Sequence, residues 1–237
     1  ESEKFAVKVS AYNTDWKDRN LTKAVTTGQG DSGDTDVIFL KGIGQKHQGL
    51  EIEGSMKLND MIRLDGAVSF GKWKFDGDAD GLYTEYDEEA PIQTSYTYTL
   101  DGLFVGDQPQ TAYVLGTTLT PMAGLRIQGI FKMYDKNYAD WSPDSRELSG
   151  DADRSQVWQA PAYNRLDLHA AYKLPKIAGY NMTVTGHLFN ALDAVYVQDA
   201  VDNSQYNGFG DKLHLAHNAE VFLGTPRYFN LGLSVNF

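Results

Sequence analysis

Hydrophobic and polar residues alternate along most of this chain. From Tyr228 to Phe237, the residues Phe229, Leu231, Leu233, Val235 and Phe237 fall on one side of an extended backbone, and Tyr228, Asn230, Gly232, Ser234 and Asn236 on the other. A period of two with one apolar side describes a β-strand between an oily and a wet environment. The same pattern sets Leu166, Leu168, Ala170, Tyr172 and Leu174 against Arg165, Asp167, His169 and Lys173, and Leu50, Ile52, Gly54, Met56 and Leu58 against Glu51, Glu53, Ser55 and Lys57. Strands are predicted over 5–17, 44–58, from Ile62 onward, 111–120, 125–133, 165–174, 180–188 and 228–237. In the third, Ile62, Leu64, Val68 and Phe70 oppose Arg63, Asp65 and Ser69, but the phase blurs near Trp73, where a bulge is expected.

The connections alternate in length. Asn59-Asp60, Pro121-Met122-Ala123-Gly124 and Pro175-Lys176-Ile177-Ala178-Gly179 are short. The segment through Asp31, Asp34 and Asp36 and those over 76–110, 140–162 and 190–225 are long and polar. Outer-membrane barrels have short periplasmic turns and long extracellular loops. The polar sides carry Glu51, Glu53, Arg63, Asp65, Arg126, Arg165, Asp167 and Lys173, which a dry core would accept only with dense pairing but a wet or plugged lumen accommodates. A soluble β-sandwich would alternate too, but gives no reason for the loop rhythm. The expected fold class is all-β, a transmembrane antiparallel β-barrel.

Composition narrows the function. No stretch approaches the ~20 apolar residues a membrane helix needs, which argues against a helical membrane protein and not against a barrel. Asp and Glu total 32 against 21 Lys and Arg, a formal charge of -11, so no nucleic-acid partner is expected. Cysteine is absent, which removes disulfides and thiol chemistry. No signal peptide opens the chain, as expected of a mature sequence or one that begins inside a larger protein.

Five segments carry a resemblance: Gln45-Lys46-His47-Gln48-Gly49-Leu50-Glu51-Ile52-Glu53, Val105-Gly106-Asp107-Gln108-Pro109-Gln110, Tyr163-Asn164-Arg165-Leu166-Asp167-Leu168, Leu188-Phe189-Asn190-Ala191-Leu192-Asp193, and Pro226-Arg227-Tyr228-Phe229-Asn230-Leu231-Gly232. Together they resemble the barrel of TonB-dependent receptors, especially those of Bacteroidetes-type bacteria. The resemblance implies a 22-stranded barrel with a plug inside it, of which residues 1–237 supply the C-terminal portion, about eight strands, with the plug domain absent from this chain. It implies energy-coupled uptake of a scarce nutrient across the bacterial outer membrane: a siderophore, haem, cobalamin, glycan or peptide. The implied partners are the TonB complex, reached through the plug, outer-membrane lipid, a small nutrient ligand and a surface lipoprotein. Asn230, Gly232, Val235 and Phe237 resemble the terminal signal read by the barrel-assembly machinery. The alternative is a complete small barrel of about eight strands with a structural or adhesive role, in which the strand over 5–17 pairs with 228–237.

Asp76, Asp78 and Asp80, with Asp87 at the twelfth position, resemble a calcium loop, set against the plainer reading of a solvated acidic loop. Trp141, Trp158, Tyr206 and Phe209 are loop aromatics suited to stacking on a ligand, and His214 and His217 lie in the last long loop and could touch one. Tyr12, Trp16, Trp73, Tyr134 and Tyr138 read as girdle or lumen aromatics. His169 and His187 are expected to point into the lumen from adjacent strands, hydrogen-bonded to neighbours or plug rather than holding a metal or haem. No Ser-His-Asp or paired-carboxylate set stands out by spacing, and an enzyme is not expected.

Overall fold

A computed structural model describes residues 4–26, 35–86, 91–143, 146, 153–176, 179–203 and 213–236. In chain order the strands are β1 (Phe5–Thr26), β2 (Thr35–Lys57), β3 (Ile62–Phe75), β4 (Ala79–Tyr86), β5 (Pro91–Tyr98), β6 (Thr111–Met122) and β7 (Leu125–Asp135), followed by β8 (Asn137–Tyr138), β9 (Gln159–Ala160), β10 (Tyr163–Lys173), β11 (Asn181–Phe189), β12 (Val197–Val201), β13 (Glu220–Leu223) and β14 (Tyr228–Asn236). Eight of them form a curved antiparallel wall in the order β14-β11-β10-β7-β6-β3-β2-β1. Among the described residues no ladder joins β1 to β14, so the wall is an open arc.

The ladders place the predicted apolar sides in register. Ala11, Leu50 and Phe70 lie in one row, Val9, Ile52 and Val68 in the next. The belt continues through Tyr113, Leu115 and Leu119 to Met133, Phe131 and Ile127, then to Leu166 and Leu168, Leu188 and Val184, and finally Phe229 and Leu233. Protein does not cover it: Leu231 is 76% exposed and Phe229 73%. An uncovered apolar band across eight strands needs lipid as its solvent. The opposite face is polar, and several of its charges are paired: Arg63 with Asp65 at 2.7 Å, Lys132 with Asp167 at 2.9 Å, and Lys8 with Glu53 at 3.9 Å. His169 and His187 meet there, ring nitrogen to ring nitrogen at 2.8 Å.

The short connections lie at one end, here the lower. Asn59 Oδ1 accepts from the Met61 and Ile62 amides, closing the β2–β3 turn. Gly124, at φ +82° in the β6–β7 turn, supplies the backbone conformation the turn requires.

The blurred phase at Trp73 has another cause than a bulge. The β2–β3 ladder runs unbroken from Gln45↔Phe75 to Lys57↔Arg63. What changes is polarity. Above Phe70 the outward positions become Lys72 and Lys74, and the inward ones Gly71, Trp73 and Phe75. On β2 the outward Gln48 and Lys46 and the inward His47 and Gln45 follow the same switch, as do Asn13 and Asp15 against Tyr12 and Trp16 on β1. The register shifts occur instead on β1, between Trp16 and Leu21, beside Asp18 (φ +53°) and Gly42 (φ +70°).

The upper ends of β1 and β2 run beyond the predicted strands and carry further structure. Within the predicted long loop over 76–110, β4 and β5 form a hairpin, and β4 takes the place beside β2 that β3 vacates at Phe75. This hairpin, upper β2 and the segment after β7 enclose a dry cluster of Ile38, Leu40, Phe75, Tyr98, Leu100 and Trp141. This cap over the rim of the wall has an orthodox core, apolar inside and polar outside.

Candidate functional site

Where the strands leave the apolar belt, side chains tie the rim together. Gln110 is 1% exposed; its amide nitrogen donates to the carbonyls of Trp73 and Val105, and its Oε1 accepts from the Trp73 amide. This clamp holds residues 105–110 against β3. Gly106 lies so close to the Ala139 and Asp140 backbone that a Cβ there would meet those atoms at 2.6–2.8 Å. Asp107 follows at φ +71°, its amide donating to the Tyr138 carbonyl. A second knot forms at β10 and β11. Asp167, 2% exposed, accepts from the Asn190 amide and Lys132 Nζ; Asn190 in turn donates to the carbonyls of Ala194 and Thr225. The segments that carried the family resemblance are thus mostly the joints of the rim.

The clamped Asp107 divides two cavities at the upper lumen. One, of about 500 Å³, is lined by Asp107, Gln108, Tyr134, Tyr163, Arg165 and Asp199 among others. The other, of about 350 Å³, is bounded by Trp16, Arg19, His47, Asp107, Gln108 and Asp140 among others. Stacked rings stiffen both. Tyr163 packs between Tyr134 (5.1 Å) and Tyr196 (4.4 Å), with the Arg165 guanidinium 5.4 Å from the Tyr196 ring. His47 packs between Trp16 and Trp73, whose indole donates to the Tyr12 hydroxyl at 2.8 Å. Gly49 is required beneath the Tyr12 ring, where a side chain would collide. Asp107 stays accessible from the lumen. Partial desolvation, then repulsion from Asp140 and Asp199, push its carboxyl up to about 6, against the opposing pull of Lys23.

The residues singled out in the sequence scatter. Trp141 was expected to offer a stacking face, but its ring is 1% exposed in the cap core, with Lys23 Nζ 4.4 Å from its centre. Trp158 is half-buried and His217 is exposed. His214 is built into a charge network rather than turned to the lumen: Nδ1 meets Asp202 and Nε2 meets Asp153, each at 2.5 Å, beside the fully buried Arg146. Burial disfavours the charged ring, but the two carboxylates outweigh it and raise the His214 pKa. Tyr206 and Phe209 lie outside the described residues, as do Asp87 and Phe237. Asp78 accepts from both terminal guanidinium nitrogens of Arg154 and from the Leu100 and Asp101 amides, so its positive partner is Arg154, as the plainer reading of an acidic surface loop allows. Asp80 accepts from Thr97, and Asp76 is exposed. Among the described residues no group of three or more His, Asp or Glu side chains is arranged to hold a metal. Asn230 and Gly232 face the lumen and Val235 the belt. Tyr12, Trp16, Trp73 and Tyr134 are lumen aromatics, while Tyr138 is buried in the cap.

The two cavities escaped the sequence reading because their linings come from β1, β2, β3, β7, β10 and β12 and from the separate loops at 105–109, 140–141 and 196. Asp107, Gln108, Tyr163, Arg165, Gln45 and His47 fall inside the resembling segments, and Trp16 and Tyr134 were read as girdle or lumen aromatics, but nothing in the sequence brought them together.

Comparison with curated proteins gave no match. A family model described as TonB dependent receptor-like, beta-barrel matches residues 2–191, from the start of β1 to the end of β11. The belt of that match continues into β14 without a break in register. The chain belongs to the TonB-dependent receptor β-barrel family.

Proposed function

We propose that this chain is the C-terminal wall of an outer-membrane receptor that imports a scarce nutrient and draws its energy from the TonB complex through a plug domain. The observation that carries the reading is the uninterrupted apolar belt on eight strands, opposite a polar face with paired charges. Along that polar face runs a trough of about 460 Å³ lined by Lys8, Glu53, Ser55, Arg63, Asp65 and Gln128 among others, a wet surface suited to a polar plug. The outer membrane stores no ion gradient of its own, so uptake against a concentration difference needs energy delivered from the inner membrane. No bond of the ligand is broken in this scheme, and no catalytic residue is assigned.

The open arc favours this reading over a closed small barrel, since β1 pairs with β2 alone among the described residues. Unpaired edges are not tolerated in lipid, so further strands must flank β1 and β14. Asn230, Gly232 and Val235, with Phe237, are the segment proposed to engage the assembly machinery. Of the loop residues, Trp158, Tyr206, Phe209 and His217 are proposed to touch a ligand or a surface lipoprotein.

The test is transport by cells carrying the intact gene. Deleting that gene, or inactivating TonB, should abolish accumulation of the nutrient, with surface binding kept in the TonB-deficient cells. Equal accumulation in all three strains would contradict the reading.

A further inference from the structure

We propose that the two cavities flanking Asp107 form one binding site for a neutral saccharide lying across the mouth of the lumen. The proposal rests on the receptor reading above and names the class of its ligand. Both cavities fall in the size range of ligand pockets, about 300–1,000 Å³, and they share Asp107 and Gln108 as a common wall. A ligand lying across Asp107 touches both.

The charges select the class. Asp107, Asp140 and Asp199 converge here, and Lys23, Arg19 and Arg165 stand against them. Lys23 Nζ is already committed to Asp140 at 2.5 Å and to the Trp141 carbonyl at 2.7 Å, and Arg19 to Gln45 at 2.6 Å. An anionic ligand would meet three carboxylates at close range. A cationic one would meet an ammonium and two guanidinium groups. A polyhydroxylated neutral ligand meets neither obstacle, because each hydroxyl both donates and accepts.

The polar groups left for it match that chemistry. Arg165, its guanidinium 3.7 Å from Asp167, is a fixed part of the lining. Asp107 and Asp199 line the same cavity and repel one another, and a donor placed between them would relieve that repulsion. Gln108 and Gln198 present exposed amides on the same cavity, able to bind hydroxyls in either sense. The Gln110 clamp and the Tyr134–Tyr163–Tyr196 stack hold this lining before any ligand arrives, which lowers the ordering cost of binding.

Titration calorimetry on the intact receptor in detergent tests the assignment, with maltotriose, cellotriose, xylotriose and mannotriose as neutral probes, ferric citrate as the anion and spermidine as the cation. At least one trisaccharide should bind more tightly than both charged probes. Asp107→Asn and Asp199→Asn should each weaken it tenfold or more, while Lys72→Gln on the outward face leaves it unchanged. Heat-modifiable gel migration establishes that each variant is folded. Should either Asp variant fail to fold, Gln108→Ala, on an exposed side chain, takes its place with the same expected loss. The proposal is overturned if no trisaccharide binds, if a charged probe binds more tightly, or if the folded variants bind as the parent does. TonB-dependent accumulation of ferric citrate would overturn the saccharide assignment and leave the receptor reading standing.

Discussion

Along β1, β2 and β3 the chain changes solvent within about two residues. Below the row Ala11–Leu50–Phe70, outward side chains are apolar and inward ones are Ser10, Glu51 and Ser69; above it, outward ones are Asn13, Gln48 and Lys72 and inward ones His47 and Trp73. The lower region, the wall, hides no core and turns its hydrophobic residues to lipid. The upper region, the cap, buries Leu40, Leu100 and Trp141 in a dry cluster. One sheet serves both because a strand's two faces are chemically independent. Inverting them takes a change of sequence phase and no change of backbone. The ligand cavities lie at this border, where the wall's polar lumen meets the cap's aromatic packing.

The largest expected effect comes from removing the cap's centre. Trp141→Ala should cost the cap about 3–5 kcal/mol, seen as faster proteolysis of the loops around it, while the wall keeps its heat-modifiable migration. Loss of both together would mean that cap and wall are one cooperative unit. Next in size is a charge placed in the belt. Leu231→Arg, near the middle of the outward row of β14, should cost about 2–4 kcal/mol and reduce the amount of assembled barrel, whereas Lys72→Glu above the border should leave assembly unchanged. Equal assembly of the two variants would remove the distinction between the regions.

The joint between the regions should be weaker than either. Asp167→Ala strands the Asn190 amide and Lys132, for a loss of about 1–3 kcal/mol, measured as a lowered midpoint of thermal unfolding. An unchanged midpoint would show that the rim knot is not needed.

The smallest effects follow pH and belong to the cap and the border. The His214 pKa is raised by Asp202 and Asp153, so its stabilising contribution is complete below the ordinary value of about 6.5 and fades as pH rises through its elevated value. The protection of amides around residues 202 and 214, after correction for the base catalysis of exchange itself, should therefore fall toward alkaline pH, and unchanged protection at high pH would contradict this. Asp107, pushed up to about 6, resists ionisation in the folded state, so stability near the border should fall as pH rises from about 4 to 6. Asp107→Asn should flatten that slope and raise stability at neutral pH, even as it weakens ligand binding.

The wall was legible in the sequence because lipid and lumen impose a strict period of two on every strand that crosses. The turn at Asn59 and the rows through Leu168 and Leu188 follow from that period alone. The cap was not legible. Tyr96 and Tyr98 alternate with threonines in β5 as a strand should, but they owe their pairing to β4, and through it to upper β2, more than fifty residues away in sequence. Trp73 misled for a related reason: its register is regular, but the solvents on its two sides have changed places. Trp141 read as a ligand platform because an aromatic residue in a polar loop gives no sign of whether the loop folds over it. The cavity lining at Tyr134, Tyr163 and Asp199 is visible only when β12, from a separate two-stranded sheet, is brought up to β7 and β10.

The central claim is tested most directly by nitroxide labels placed one at a time along β3, from Ile62 to Phe75, in the intact receptor in lipid vesicles; residues 1–237 contain no cysteine to compete with the label. Labels at 62, 64, 66, 68 and 70 should collide readily with dissolved oxygen and poorly with an aqueous nickel chelate, and that preference should reverse at 72 and 74. A uniform aqueous signature from 62 to 74, with no alternation and no reversal, would contradict the account.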